Sequence, residues 1–186
     1  MLQFVIQGRG GQGAQTAGEI LANVFFREEK YVQAYATYGG ARRGTPVSSF
    51  IRVDEEPIRL RCDIENPDVI VCFDPSLLNE VLLKGATDNT WVLINSAKLP
   101  EYFAGLGKFR IVTLDAMSIA QTNRLGRMVN TTLVGAVAGL LDKPALDMLK
   151  KVVAEMSPAK KEENVKSCIE GYSLARERRL SNGGSE

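Results

Sequence analysis

Residues 2–16 are LQFVIQGRGGQGAQT, a run in which apolar residues give way to glycines and then to a helix-forming segment. Leu2 to Gln7 alternate or run apolar in the manner of a buried strand, while Thr16 to Arg27 place Ile20, Leu21, Val24 and Phe25 on one helical face. Between them stand Gly8, Gly10, Gly11 and Gly13, which let the backbone turn sharply. The stretch therefore predicts strand, tight turn, helix. In that setting Gly8-Arg9-Gly10-Gly11-Gln12-Gly13 matches G-x-G-x-x-G, a pattern whose bare backbone can approach a phosphate. The following helix adds unpaired N–H groups and the positive end of its dipole, so the expected ligand is an anion. The plainer alternative is a tight connection that holds nothing.

Working outward, Tyr31 to Tyr35 reads as a second strand. It is followed by a basic loop from Thr37 to Pro46 that carries Gly39, Gly40, Gly44, Arg42 and Arg43. Val47 to Val53 and Ile58 to Leu60 flank the turn-like Asp54-Glu55-Glu56-Pro57, which predicts an antiparallel hairpin. Val69 to Phe73, Trp91 to Asn95 and Arg110 to Leu114 read as buried strands, with a helix over Pro75 to Lys84. Helices then follow over Ala116 to Asn123, Val129 to Leu141, Pro144 to Met156 and Lys160 to Arg179. The fold class is α/β: a single layered domain with a mixed, mostly parallel sheet, a β-hairpin and a helical C-terminal part. The domain spans residues 1–180, and 181–186 form a disordered tail.

Composition narrows the chemistry. With 23 basic and 22 acidic residues among 186, the net charge of +1 provides no global field for nucleic acid or an anionic membrane. There is no histidine, which excludes a His-containing triad or a His metal site. Cys62, Cys72 and Cys168 are far apart, without a CxxC pair for zinc, a disulfide or an iron–sulfur cluster. Cys72 lies in an apolar run and reads as a buried small hydrophobe. The chain begins without the basic start and long apolar stretch of a signal peptide, and no apolar segment reaches the ~18 residues of a membrane span. The expectation is a soluble cytoplasmic protein with no resident metal and no catalytic residue of its own. A dinucleotide site of Rossmann type wants an acidic residue at the end of the second strand, where this chain offers Gln33, Tyr35 and Thr37. GxxxxGK[ST] is also absent, so both NAD and ATP are disfavoured.

Four stretches in order carry a resemblance: Gly8 to Gly13, Tyr38-Gly39-Gly40-Ala41-Arg42-Arg43-Gly44-Thr45-Pro46-Val47, Pro57-Ile58-Arg59-Leu60-Arg61, and Asn130-Thr131-Thr132-Leu133-Val134-Gly135. Together they resemble the gamma subunit of pyruvate or 2-ketoisovalerate:ferredoxin oxidoreductases, over the chain to about residue 175. The resemblance implies oxidative decarboxylation of a 2-oxoacid with coenzyme A, giving acyl-CoA, carbon dioxide and reduced ferredoxin. It implies thiamine diphosphate, magnesium and iron–sulfur clusters held only by alpha, beta and delta-type partner subunits, with ferredoxin met indirectly. It carries coenzyme A binding to Gly8, Gly10, Gly11, Gln12, Gly13 and Asn130, and a role covering the active site to the domain. Arg9, Arg42 and Arg43 are candidate anion or subunit contacts. Members often have His before the glycine loop and Glu before the paired arginines, where this chain has Gln7 and Ala41.

Two other readings stay open: a free-standing module that binds coenzyme A or a nucleotide, and an autonomous dehydrogenase. The missing histidine and ribose-binding acid count against the second. Asn130 reads as a helix N-cap as well as a ligand contact, and Asp74 before Pro75 reads as another cap.

Overall fold

A computed structural model describes residues 1–40 and 44–183. The chain order is β1 (Leu2–Arg9), α1 (Ala14–Arg27), β2 (Tyr31–Tyr38), β3 (Pro46–Asp54), β4 (Val69–Cys72), β5 (Trp91–Asn95), β6 (Arg110–Leu114), α2 (Ala116–Thr122), α3 (Asn130–Leu141), α4 (Leu146–Met156) and α5 (Lys161–Gly183). Short 3₁₀ turns cover Pro75–Leu77 and Pro100–Leu106. The strands form one sheet in the order β2-β3-β1-β4-β5-β6. β1, β4, β5 and β6 pair in parallel, and β3 runs antiparallel to both its neighbours, so five of six strands share a direction.

Strand alternation divides the core. Val69 and Val71 of β4 and Leu93 of β5 point to the face packed by α1, α3, α4 and α5. Ile70, Cys72, Val92 and Ile94 point to the other face, against Leu77, Leu82, Leu83 and Phe103 from the turns between strands. α3 is buried along nearly its whole length, which accounts for its small, apolar composition. Gly135 and Gly139 meet the backbone of α5 at Cys168 and Tyr172, and Gly171 meets that of α3 at Thr132, leaving no room for a Cβ. Buried hydroxyls are matched across this contact, Thr132 with Ser167 at 2.6 Å and Thr131 with Asn164 at 3.0 Å.

The hairpin differs from the expected one. β2 extends to Tyr38 and pairs with β3 from Tyr31↔Asp54 to Tyr38↔Val47, while β1 takes the other edge of β3. Both edges of β3 are filled, and residues 58–60 cannot join it. They lie instead in a strap over the sheet face, held by side chains. Gln33 Nε2 donates to Leu60 O at 3.0 Å, and the buried Arg52 donates to Cys62 O at 2.8 Å. Arg52 also donates to Gln33 Oε1 at 2.7 Å and Gln3 Oε1 at 3.2 Å.

The helix expected over Pro75 to Lys84 is only a 3₁₀ turn. Leu78 leaves helical geometry at ψ 111°, and the Asn79 side chain takes the Leu82 N–H at 2.9 Å, a local bond that competes with a continuing helix. α4 starts at Leu146, so Pro144 precedes it and lies outside its first turn. α5 continues through Ser181 to Gly183, into the stretch expected to be disordered, and 184–186 lie outside the described residues.

Candidate functional site

The glycine loop is built by its own backbone and one side chain. Gln12 N–H closes a turn on Arg9 O at 2.9 Å, and Gln12 Oε1 accepts the Arg9 N–H at 2.7 Å. Gly11 at φ 95° and Gly13 at φ 86° occupy the left-handed region, where a side chain costs about 1–2 kcal/mol. Gly8 is a close-approach position: a Cβ there would meet Phe73 Cβ at 3.1 Å and Ala14 Cβ at 3.2 Å. The loop delivers the chain into α1, whose cap residue Gly13 makes no side-chain cap bond and whose first turn holds no acidic residue. The first helical N–H groups therefore point outward without an intrahelical partner.

They open into a cleft of about 870 Å³. The glycine loop and the first turn of α1, Ala14 to Thr16, form one side, and Tyr38, Gly40, Thr45 and Val47 form the other. That volume lies within the range of small-molecule sites. Its position in the sheet is also telling. After β1 the chain crosses by α1 toward β2, whereas after β4 it crosses over the opposite face toward β5, so the carboxyl ends of β1 and β4 mark the point where open α/β sheets hold ligands.

A network ties this edge together. Arg9 Nε donates to Asp74 Oδ2 at 2.8 Å, one terminal nitrogen to Ser76 Oγ at 2.7 Å, and the other to Gly44 O at 3.1 Å. Gly10 N–H donates to Thr45 O at 2.9 Å, so the glycine loop and the β2–β3 loop are joined twice. Asp74 caps its turn by accepting the Ser76 N–H at 3.0 Å. Partial burial works against ionisation of Asp74, but hydrogen bonds from Ser76 and Arg9 outweigh it and hold the carboxyl below its ordinary value.

The model of the pyruvate ferredoxin/flavodoxin oxidoreductase family matches residues 3–174. The chain belongs to this family. The common subunit gamma of the pyruvate/ketoisovalerate oxidoreductases of Thermococcus kodakarensis is 38% identical over 177 residues, covering 92% of this chain and 96% of the relative. The crystal structure of pyruvate oxidoreductase subunit PORC from Thermotoga maritima matches with a TM-score of 0.83 at 30% identity, covering 92% of this chain and 95% of that one. The 2-oxoglutarate:ferredoxin oxidoreductase of Magnetococcus marinus, solved with 2-oxoglutarate, coenzyme A and succinyl-CoA, shares the fold at a TM-score of 0.76 and 18% identity. It contains this fold as part of a longer chain, since the match covers 97% of this chain and 31% of that one.

Within this family member, Gly10, Gly11, Gly13 and Arg9 line the cleft, whereas Gly8 and Gln12 shape the loop from behind. Asn130 is the first residue of α3 with Val129 in the cap position, so it is not the N-cap expected from sequence. It packs behind Gly13, where an added Cβ would meet Asn130 Nδ2 at 3.1 Å, and it is not among the lining residues. Among the described residues, three Arg9 N–H groups reach protein acceptors and two do not. Arg42 and Arg43 lie outside the described residues.

Nothing in the local sequence marks Gln15, Thr16, Tyr38 and Thr45 as cleft residues, or ties Asp74 to Arg9. Periodicity assigned Gln15 and Thr16 to a helix entrance, but nothing local reports that a loop 30 residues away faces it. Cys72 and Cys168 are buried, and burial pushes both thiols up to about 12, which leaves them inert at neutral pH. Among the described residues, no group of three or more His, Cys, Asp or Glu side chains is placed to hold a metal ion.

Proposed function

We propose that this chain is the gamma-type subunit of a 2-oxoacid:ferredoxin oxidoreductase, where it helps bind coenzyme A and covers the active site. The assembled enzyme decarboxylates pyruvate or a related 2-oxoacid oxidatively, yielding acyl-CoA, carbon dioxide and reduced ferredoxin. Thiamine diphosphate with magnesium supplies the carbon chemistry and iron–sulfur clusters take the electrons, all on alpha, beta and delta-type subunits in the cytoplasm. The observation that carries the role of this chain is the uncapped N-terminus of α1, which opens with Gly10, Gly11 and Gly13 onto the 870 Å³ cleft. Family membership, the gamma-subunit relative and the coenzyme A-bound neighbour of the same fold support the reading.

The residues fit such a ligand. Backbone N–H groups at Ala14, Gln15 and Thr16 suit the diphosphate, with the helix dipole adding a favourable field. A Cβ built at Gly11 meets nothing within 4 Å, so the cleft wall is open there. Tying Arg9 to Asp74 and Gly44 holds both walls of the cleft in place before a ligand arrives, which lowers the ordering cost of binding. The thiol end of coenzyme A is left to reach the carbon centre on a sister chain. The test is co-purification from cells expressing the chain at its natural level: the reading predicts that it travels with thiamine diphosphate and cluster-bearing partners. A chain that purifies alone contradicts it.

A further inference from the structure

We infer that Tyr38 is the stacking platform for the purine ring of coenzyme A, an assignment that rests on the proposed reading and extends it to the nucleoside end of the ligand. Tyr38 ends β2, where backbone pairing with Val47 and the Gly39 N–H to Pro46 O bond at 2.8 Å fix its main chain. Tyr38 stands in the wall of the cleft opposite the glycine loop and is 58% exposed. Among the described residues no other ring and no cation packs on it.

The exposed ring is nevertheless held. Its hydroxyl donates to Gln15 Oε1, and Gln15 Nε2 in turn donates to Glu19 Oε1 at 2.8 Å one turn along α1. Gln15 belongs to the first turn of α1, the turn whose free N–H groups face the cleft. The tether thus fixes an aromatic face one side chain away from the phosphate-binding backbone. In a nucleotide, the base is separated from its phosphates by one sugar, so the two features match in chemistry and in order. A flat, polarisable ring gains most from another flat ring, and much less from the flexible amide chain of the pantetheine arm. The tether also holds the ring in place before the base arrives, so less side-chain freedom is lost on stacking.

The test uses the oxidoreductase assembled with its partner subunits and compares two probes, coenzyme A and 4′-phosphopantetheine, which keeps the arm and one phosphate but lacks the 3′-phosphoadenosine and the second phosphate. Equilibrium titration should show Tyr38→Ala weakening coenzyme A by roughly 5- to 50-fold while 4′-phosphopantetheine changes less than about twofold. Tyr38→Phe, which keeps the ring and loses the tether, should weaken coenzyme A by less than about fivefold. Equal weakening of both probes in Tyr38→Ala, or no change in either, overturns the stacking assignment and leaves the glycine-loop reading standing. Wild-type enzyme that binds neither probe overturns both.

Discussion

At the residue scale, the site is governed by backbone sign and by one ion pair. Gly11 and Gly13 both need positive φ, but only Gly13 is also crowded from behind, by Asn130. These two glycines illustrate what sequence can and cannot show. The pattern G-x-G-x-x-G announced a turn before a helix, and the turn is there. Which glycine faces the ligand and which faces the protein depends on α3, 117 residues beyond Gly13, whose first residue is Asn130. Asp74 was legible as a cap and not as the partner of Arg9, because the cap is local while the ion pair crosses 65 residues. Its lowered carboxyl sets a pH dependence. A depressed folded-state value means the stabilisation is complete well above 3.8 and is lost as pH falls through the lower folded value. Asp74→Asn should therefore lower stability by roughly 1–2 kcal/mol at pH 7, measured by denaturant titration, and the gap from wild type should close in strong acid. A gap that stays constant from pH 7 to pH 2.5 contradicts this role.

At the element scale, the misread segments share one cause. Residues 58–60 carry the alternation of a strand, and residues 75–84 carry the periodicity of a helix, yet neither forms one. In both cases side-chain hydrogen bonds claim the backbone: Arg52 and Gln33, from strands distant in sequence, hold the strap, and Asn79, within the segment itself, holds the turn after Pro75–Leu77. Long elements with their own continuous pattern, such as β1, α1 and α3, survived this competition and were read correctly apart from their ends. Arg52 is the clearest case of a residue whose role is invisible in sequence. It is a buried cation whose hydrogen bonds, among the described residues, go to the neutral acceptors Gln3, Gln33 and the carbonyl O and Sγ of Cys62. Removing it leaves those acceptors without their donor, at a cost of roughly 2–4 kcal/mol. Arg52→Ala should loosen the strap, so trypsin should cut faster after the exposed Arg59 and Arg61, as followed by mass spectrometry. Cleavage at the wild-type rate contradicts the strap's dependence on Arg52.

At the scale of the whole molecule, a single sheet supports two separate tasks. Its helix-covered face supplies a dense core in which α3 and α5 approach backbone to backbone, giving a rigid base. Its carboxyl-terminal edge, between the end of β1 and the β2–β3 loop, carries the cleft. No helix among the described residues is long and apolar enough to cross a membrane. The α/β class followed from strand patterning, whereas the mixed sheet was expected from a hairpin with residues 58–60 and arises instead from β3 running antiparallel between β1 and β2; the cleft did not follow at all, because it is made where β1, α1 and the β2–β3 loop converge.

Under the proposed function, backbone amides bared by the glycine loop hold the diphosphate of coenzyme A in the assembled enzyme. Equilibrium titration of coenzyme A into the purified assembly, wild type against Gly11→Val, tests it most directly. The branched side chain would project into open space at the mouth of the cleft and strain a left-handed position by about 1–2 kcal/mol. The variant should still assemble and bind coenzyme A at least tenfold more weakly, a change of about 1.4 kcal/mol or more. An assembled Gly11→Val enzyme with wild-type affinity would contradict it.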